Sequence, residues 1–265
     1  MKTTLVRILL LTILVSLILP IIISLSIAFS PDSFLTIPTN NWTSKWFYDF
    51  FYQTRWTEAF LRSLIMAILS TFLSLTFGMP LAYAMTRLNI PWKKLIHGSI
   101  LLPLIIPPII IGMGALPLFY AMRLNGTTFE VVLIHSCLIL PIIYLILKNK
   151  IQNISPEIEN VAMGLGAGIF ETLWYITLPL LYPAIAISGI CGFAISINET
   201  MVALFMAGPT NETISTITWS QLKEAPTPLI AVASIINLII ILIGTIAIKF
   251  ASITFSYNNN RTNRI

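Results

Sequence analysis

Charge is what this chain has least of. Only 9% of its 265 residues are Asp, Glu, Lys or Arg, where soluble domains carry about a quarter. A chain so poor in charge cannot cover a water-facing surface, and with 57% hydrophobic residues it belongs in a bilayer. Cysteine is nearly absent: Cys137 and Cys191 both fall in apolar runs, which excludes a disulfide framework. Two histidines, His97 and His135, leave no basis for a His-based metal cluster. No G-x-x-x-x-G-K-[ST] loop occurs, so no ATP site of that kind resides on the chain. The net charge of +5 needs no nucleic acid, because Lys and Arg on the cytoplasmic side account for it.

Apolar runs are plentiful. They cover 8–29, 60–85, 99–121, 129–147, 181–207 and 229–255. Each meets the roughly 20 residues needed to cross roughly 30 Å of hydrocarbon, so an all-α membrane protein of six spans is expected. The first run has the basic start of a signal peptide in Lys2 and Arg7. It exceeds the ~7–15 residues of a signal core, and no A-x-A site follows, so it reads as a true span. One set of span ends holds Lys2, Arg7, Arg87, Lys93, Lys94, Lys148, Lys150, Lys249, Arg261 and Arg264; the other holds Lys45, Arg55, Arg62, Arg123 and Lys223. The richer side should be cytoplasmic, which puts both termini and segment 148–180 there.

Segment 30–59 is then extracytoplasmic, and its Trp42, Trp46, Phe47, Tyr48, Phe50, Phe51, Tyr52 and Trp56 read as an interfacial belt. Pro103, Pro107, Pro108, Pro117 and Pro141 should kink the third and fourth spans. The chain divides into a first span with the aromatic segment (1–57), a transmembrane core (58–256) and a cytoplasmic tail (257–265).

The cytoplasmic stretch 160–179 reads NVAMGLGAGIFETLWYITLP. Ser155 suits an N-cap, Pro156 the first helical position, and Glu157 and Glu159 the positive helix start. Ile158, Val161, Ala162 and Leu165 fall on one helical stripe. Small residues (Ala162, Gly164, Gly166, Ala167, Gly168) permit close approach and a turn near Gly166. Such a helix can lie on the membrane surface or dock in a partner's groove; the pattern alone fits both.

The stretch resembles the EAA loop of permease subunits of binding-protein-dependent ABC importers: Glu-Ala-Ala, three residues, Gly, nine residues, Ile, one residue, Leu-Pro. Here Asn160-Val161-Ala162, Gly166, Ile176, Leu178 and Pro179 meet every spacing. The motif acid is replaced by Asn160, with Glu159 one position earlier, and the first alanine by Val161. Residues 62–87 (RSLIMAILSTFLSLTFGMPLAYAMTR) and 101–112 (LLPLIIPPIIIG) look like the second and third spans of such permeases. Residues 195–209 (ISINETMVALFMAGP), with TWS at 218–220, resemble the spermidine/putrescine-type branch. There the family's Ser-Phe-Asp-Glu is Ser196-Ile197-Asn198-Glu199.

The resemblance implies a type I ABC importer permease fold with a coupling helix in loop 153–180, in a multi-pass chain of the bacterial inner membrane. It implies three partners: a cytoplasmic ABC ATPase dimer that binds the ATP and Mg, a second permease (a paralogue or another copy), and an extracytoplasmic solute-binding protein. Other solutes carried within the branch include aminophosphonates and iron.

Glu199 lies in an apolar run beside Ser196 and Asn198, and an acid at such depth usually faces the bundle interior or a watery path. Ser196, Asn198 and Glu199 are therefore the candidate path residues, with Glu199 a transient partner for a passing cation. His135 and Asn237 are expected to hydrogen-bond between helices, His97 to sit at the surface, and Glu58 and Arg62 to pair locally at i, i+4. An ATP-independent channel or secondary transporter is the competing class; an intramembrane enzyme would need paired acids or clustered histidines.

Overall fold

The computed structural model describes residues 2–37, 41–208 and 211–262, with side chains from 4 to 250 within those ranges. Every regular element is helical: α1 Lys2–Ala28, α2 Lys45–Tyr52, α3 Thr54–Arg87, α4 Lys93–Ile105, α5 Pro108–Ala121, α6 Thr128–Gln152, α7 Pro156–Gly164, α8 Ile169–Thr172, a π-helical turn Leu173–Thr177, α9 Leu178–Asn198, α10 Met201–Met206, α11 Ile214–Glu224 and α12 Leu229–Thr262. Five helices are long and apolar enough to cross a membrane, or six spans if the bent pair α4–α5 counts as one.

That bent pair corrects the single helix expected at 99–121. The axis turns by 104° between Ile105 and Pro108. Ile106 precedes Pro107 and is extended (φ −79°, ψ 128°), as proline demands of its predecessor. Pro103, Pro117 and Pro141 lie inside helices that continue through them.

The tightest group is α3, α6 and α9. Two hydroxyls of α3 reach across to α6: Ser70 and Ser74 donate to the Val132 and Ser136 carbonyls at 3.2 and 2.9 Å. Where these helices cross, a Cβ on Gly192 would stand 2.8 Å from Ile139 Cγ2 and 3.2 Å from Thr71 Cγ2. Only hydrogen fits there. At the edge, α1 packs against α12 and otherwise shows its apolar surface. Its Thr12, Ser16 and Ser26 hydroxyls return to carbonyls one turn back, which suits donors on a lipid-facing helix.

The aromatic segment is not all belt. Trp46, Phe50 and Trp56 are buried in a core with Ala28, Ile214, Ile217 and the start of α12, and Trp46 Nε1 donates to the Ser30 carbonyl at 2.7 Å. Trp42, Tyr48, Phe51 and Tyr52 are exposed, as a belt requires. The segment is thus fastened to the core, and α3 already begins at Thr54, so the boundary at 57/58 cuts its first turn. The backbone of α12 runs helical to Thr262; residues 263–265 of the tail lie outside the described residues.

Candidate functional site

The loop after α6 is built on a buried ion pair. Pro156 opens α7, and Ser155 is extended as an N-cap should be, although its hydroxyl makes no cap bond. Glu157 stays exposed. Glu159 turns inward and is only 4% exposed. Arg87 Nε, at the end of α3, donates to Glu159 Oε2 at 2.9 Å, and Arg87 Nη2 donates to the Ile154 carbonyl at 2.9 Å. Thr177 Oγ1 donates to Glu159 Oε1 at 2.9 Å. One carboxylate therefore joins α7 to α3 and to the π turn that leads into α9. Asn160, at the motif's acid position, is exposed; the acid one residue earlier faces the protein and makes the bond.

Gly166 closes α7. Its φ is +99°, the Gly166 N–H reaches the Met163 carbonyl, and the Ala167 N–H reaches the Ala162 carbonyl. These two bonds define a Schellman motif, with glycine at the left-handed position. A Cβ on Gly166 would meet nothing within 4 Å, so backbone conformation is what requires this glycine, and the expected close approach plays no part within the chain. Gly168 then donates its N–H to Glu171 Oε2 at 2.8 Å as the next helix starts.

That helix runs unbroken from Ile169 to Asn198 through the π turn. The fifth span thus starts well before residue 181, and Ile176, Leu178 and Pro179 are part of it. Pro179 has no N–H for the Tyr175 carbonyl, so a widened turn just before it sacrifices no bond. On the outer side Ile158, Val161, Leu165 (85%) and Phe170 (82%) are exposed. Ala162 was expected on this stripe but is buried.

The path candidates separate at the other end of α9. The helix stops at Asn198, short of the run to 207, and Glu199 is its extended cap. The Glu199 carboxylate accepts from the Met201 and Val202 N–H groups at 3.1 and 2.9 Å, holding the start of α10. Its Oε2 lies 3.4 Å from His135 Nε2, and its side chain is 10% exposed. His135 Nδ1 shares a hydrogen bond of 2.9 Å with Ser196 Oγ, so this histidine links α6 to α9 as expected. Ser196 and Glu199 are thus engaged in the packed interior.

Asn198 instead lines an open cleft of about 370 Å³ with Thr200, Ser215, Thr218, Trp219 and Asn237. Asn237 Oδ1 is buried there without a hydrogen-bond partner. Lys223 Nζ sits 4.8 Å over the Trp219 ring. The chain lines the cleft with hydroxyls, amides and an indole, but no carboxylate.

Two side clusters complete the geometry. Glu58 pairs with Arg62 at 3.3 Å as expected, while Arg62 Nε also donates to the Glu212 carbonyl and Arg55 donates twice to the Glu212 carboxylate. The hydrogen bond from Arg55 holds the Glu212 carboxyl below the usual carboxylate range. His97 is more than a surface residue: its Nδ1 shares a hydrogen bond of 2.9 Å with the hydroxyl of fully buried Tyr144. Sequence reasoning passed over Arg87 and Thr177, whose only signal was a charge at the end of a span and a hydroxyl before Leu-Pro.

Known proteins share sequence and fold with this chain. The chain is 25% identical over 229 residues to the spermidine/putrescine transport system permease protein PotC of Escherichia coli K12, covering 86% of each chain. It is 31% identical over 162 residues to the molybdenum transport system permease protein ModB of Mycobacterium tuberculosis, covering 57% of this chain and 61% of that one. A bacterial ABC transporter that imports the acidic polysaccharide alginate shares the fold, with TM-score 0.69 at 17% identity over 94% of this chain and 95% of that one. So does the MetNI methionine ABC transporter in an inward-facing form, with TM-score 0.65 at 15% identity over 77% and 98%. The model of the inner membrane component of binding-protein-dependent transport systems matches residues 74–252, and the chain belongs to that family of non-enzymatic transport subunits.

Proposed function

We propose that this permease forms one half of the path of an importer for a polyamine, and that α7 is where a separate ATPase drives it. The observation that carries the coupling role is the two-sidedness of α7: Glu159 locks its inner face to α3 and α9, while Ile158, Val161, Leu165 and Phe170 present an apolar outer face. An apolar helix face suits a partner's groove, and a buried joint lets that partner's motion reach two spans at once. The ATPase would bind the ATP and Mg. A second permease would complete the path, an extracytoplasmic binding protein would deliver the solute, and both termini would face the cytoplasm.

Polyamine is favoured by the likeness to PotC over most of the chain and by the indole and amide oxygens of the cleft, groups that suit ammonium ions. A second reading, a small oxyanion, draws on the ModB likeness and on the absence of a carboxylate from the cleft lining. In both readings Asn198 faces the path and Glu199 positions α10.

The test is reconstitution of the co-purifying complex in proteoliposomes, with uptake of labelled spermidine and of molybdate measured with and without ATP. ATP-dependent spermidine uptake, lost together with the bound ATPase in Leu165→Glu, is the expected result. Uptake without ATP would mean a channel or secondary transporter. ATP-dependent uptake of molybdate alone would establish the oxyanion reading.

A further inference from the structure

At the end of the bundle that carries α7 lies a basic pocket unused by either coupling or path. It has a volume of about 250 Å³, between Met85 and Thr86 of α3, Lys93, Lys94 and His97 of α4, and Lys148 of α6. Three lysines line it and no acid does. The ion pairs among the described residues involve none of these lysines. Lys93 Nζ reaches only the Leu88 carbonyl, at 3.3 Å, and Lys148 Nζ stands 5.5 Å over the Tyr144 ring. The hydrogen bond from His97 to Tyr144 fixes the imidazole in the wall. Lys93 and Lys94 occupy the first turn of a helix, where positive charge is least favoured. The arrangement is complementary to an anion supplied from outside the chain.

The surroundings identify its source. Helix α3 ends and α4 begins here, so the pocket lies at a membrane face. Trp92 stands at the turn with φ +60° and 78% exposure, between exposed Leu88 and Leu95. Tryptophan beside lysine is the composition of a bilayer interface. Helix α4 packs Ile96, Ile100 and Leu101 against the core and leaves Leu95, Leu102, Leu104 and Ile105 exposed, an apolar outer face below the lysines. We propose that the pocket binds the phosphate headgroup of an anionic phospholipid, with acyl chains lying along α4. Basic pockets between membrane helices hold such headgroups elsewhere.

The test is native mass spectrometry of the complex as it purifies, stripped of lipid and titrated with phosphatidylglycerol or phosphatidylcholine. Wild type is compared with Lys93→Ala/Lys94→Ala/Lys148→Ala and with the corresponding triple arginine variant. Wild type and the arginine variant should prefer phosphatidylglycerol, and the alanine variant should lose that preference, on the order of a hundredfold for three lysines acting together. Equal phosphatidylglycerol retention by the alanine variant overturns the assignment. So does a wild type that holds inorganic phosphate but prefers no lipid, or one that binds no lipid because a second permease covers α4. The inference rests on the permease reading only for the pocket's place at a membrane face. The ATPase in the same spectra reports on that reading separately: its absence would sink the importer and leave the lipid result standing.

Discussion

The two ends of the fifth span each hold a carboxylate away from water, by different means. At the α7 end Glu159 meets a full positive charge on Arg87 and a hydroxyl on Thr177. At the other end Glu199 meets two backbone N–H groups and an imidazole. The first arrangement ties together three elements far apart in the chain. The second is local, with its hydrogen bonds spanning two or three residues and only His135 coming from another helix. A rigid joint and a capped hinge are what a chain needs if force enters at one end and solute passes near the other.

The largest effect should come from breaking the joint. Arg87→Ala leaves Glu159 buried and unpaired, at a cost of about 3–5 kcal/mol, read as a lower thermal midpoint of the purified complex. Arg87→Ala/Glu159→Gln should be less damaging than Arg87→Ala alone, because no bare carboxylate remains; a double variant at least as damaged as Arg87→Ala would mean the pair is not the source of the loss.

Between the two ends, Gly192→Ala should cost about 1–3 kcal/mol by overpacking, since the fully buried Ile139 has little room to retreat. Gly189→Ala is the control on the same helix, with its nearest neighbour at 3.7 Å, and its thermal midpoint should barely move. Smaller again is Glu199→Ala, which removes a cap worth about 1 kcal/mol. In a spermidine uptake assay it should matter less than Asn198→Ala; the opposite order would return Glu199 to the path.

The smallest effect concerns pH. Glu212 has its folded pKa lowered from 4.5, so its pair with Arg55 contributes fully above that value and fades as pH falls through the lower folded one. An exposed pair is worth no more than about 1 kcal/mol. Glu212→Gln should therefore trail wild type slightly at pH 7 in thermal unfolding, and the gap should close as pH falls from 4.5 through the lowered folded pKa.

What could be read from the sequence was local. Pro156, the stripe of Ile158, Val161 and Leu165, and the turn at Gly166 follow from spacing and backbone preference within eleven residues. The bond between Glu159 and Arg87 joins positions 72 apart, and no periodicity announces it. Glu199 was placed deep because the apolar run continues to residue 207, yet Asn198-Glu199-Thr200 ends the helix and a second one begins. Trp46, Phe50 and Trp56 have the composition of a belt, but α11, a polar helix outside the apolar runs, covers them together with α12. The prolines of the third span announced a bend; its 104° is made at the two extended residues, Ile106 and Pro107, between α4 and α5.

The Schellman turn at Gly166 has a consequence for how such importers diversify. The direction of α7 is set by backbone bonds and by side chains on its inner face. The residues at 158, 161, 165 and 170 take no part in that mount, so they are free to be exchanged without changing where the helix points. If a separate ATPase docks on α7 as proposed, a lineage could re-pair this permease with a different one by altering four outward side chains, while the path and its cargo stayed as they were.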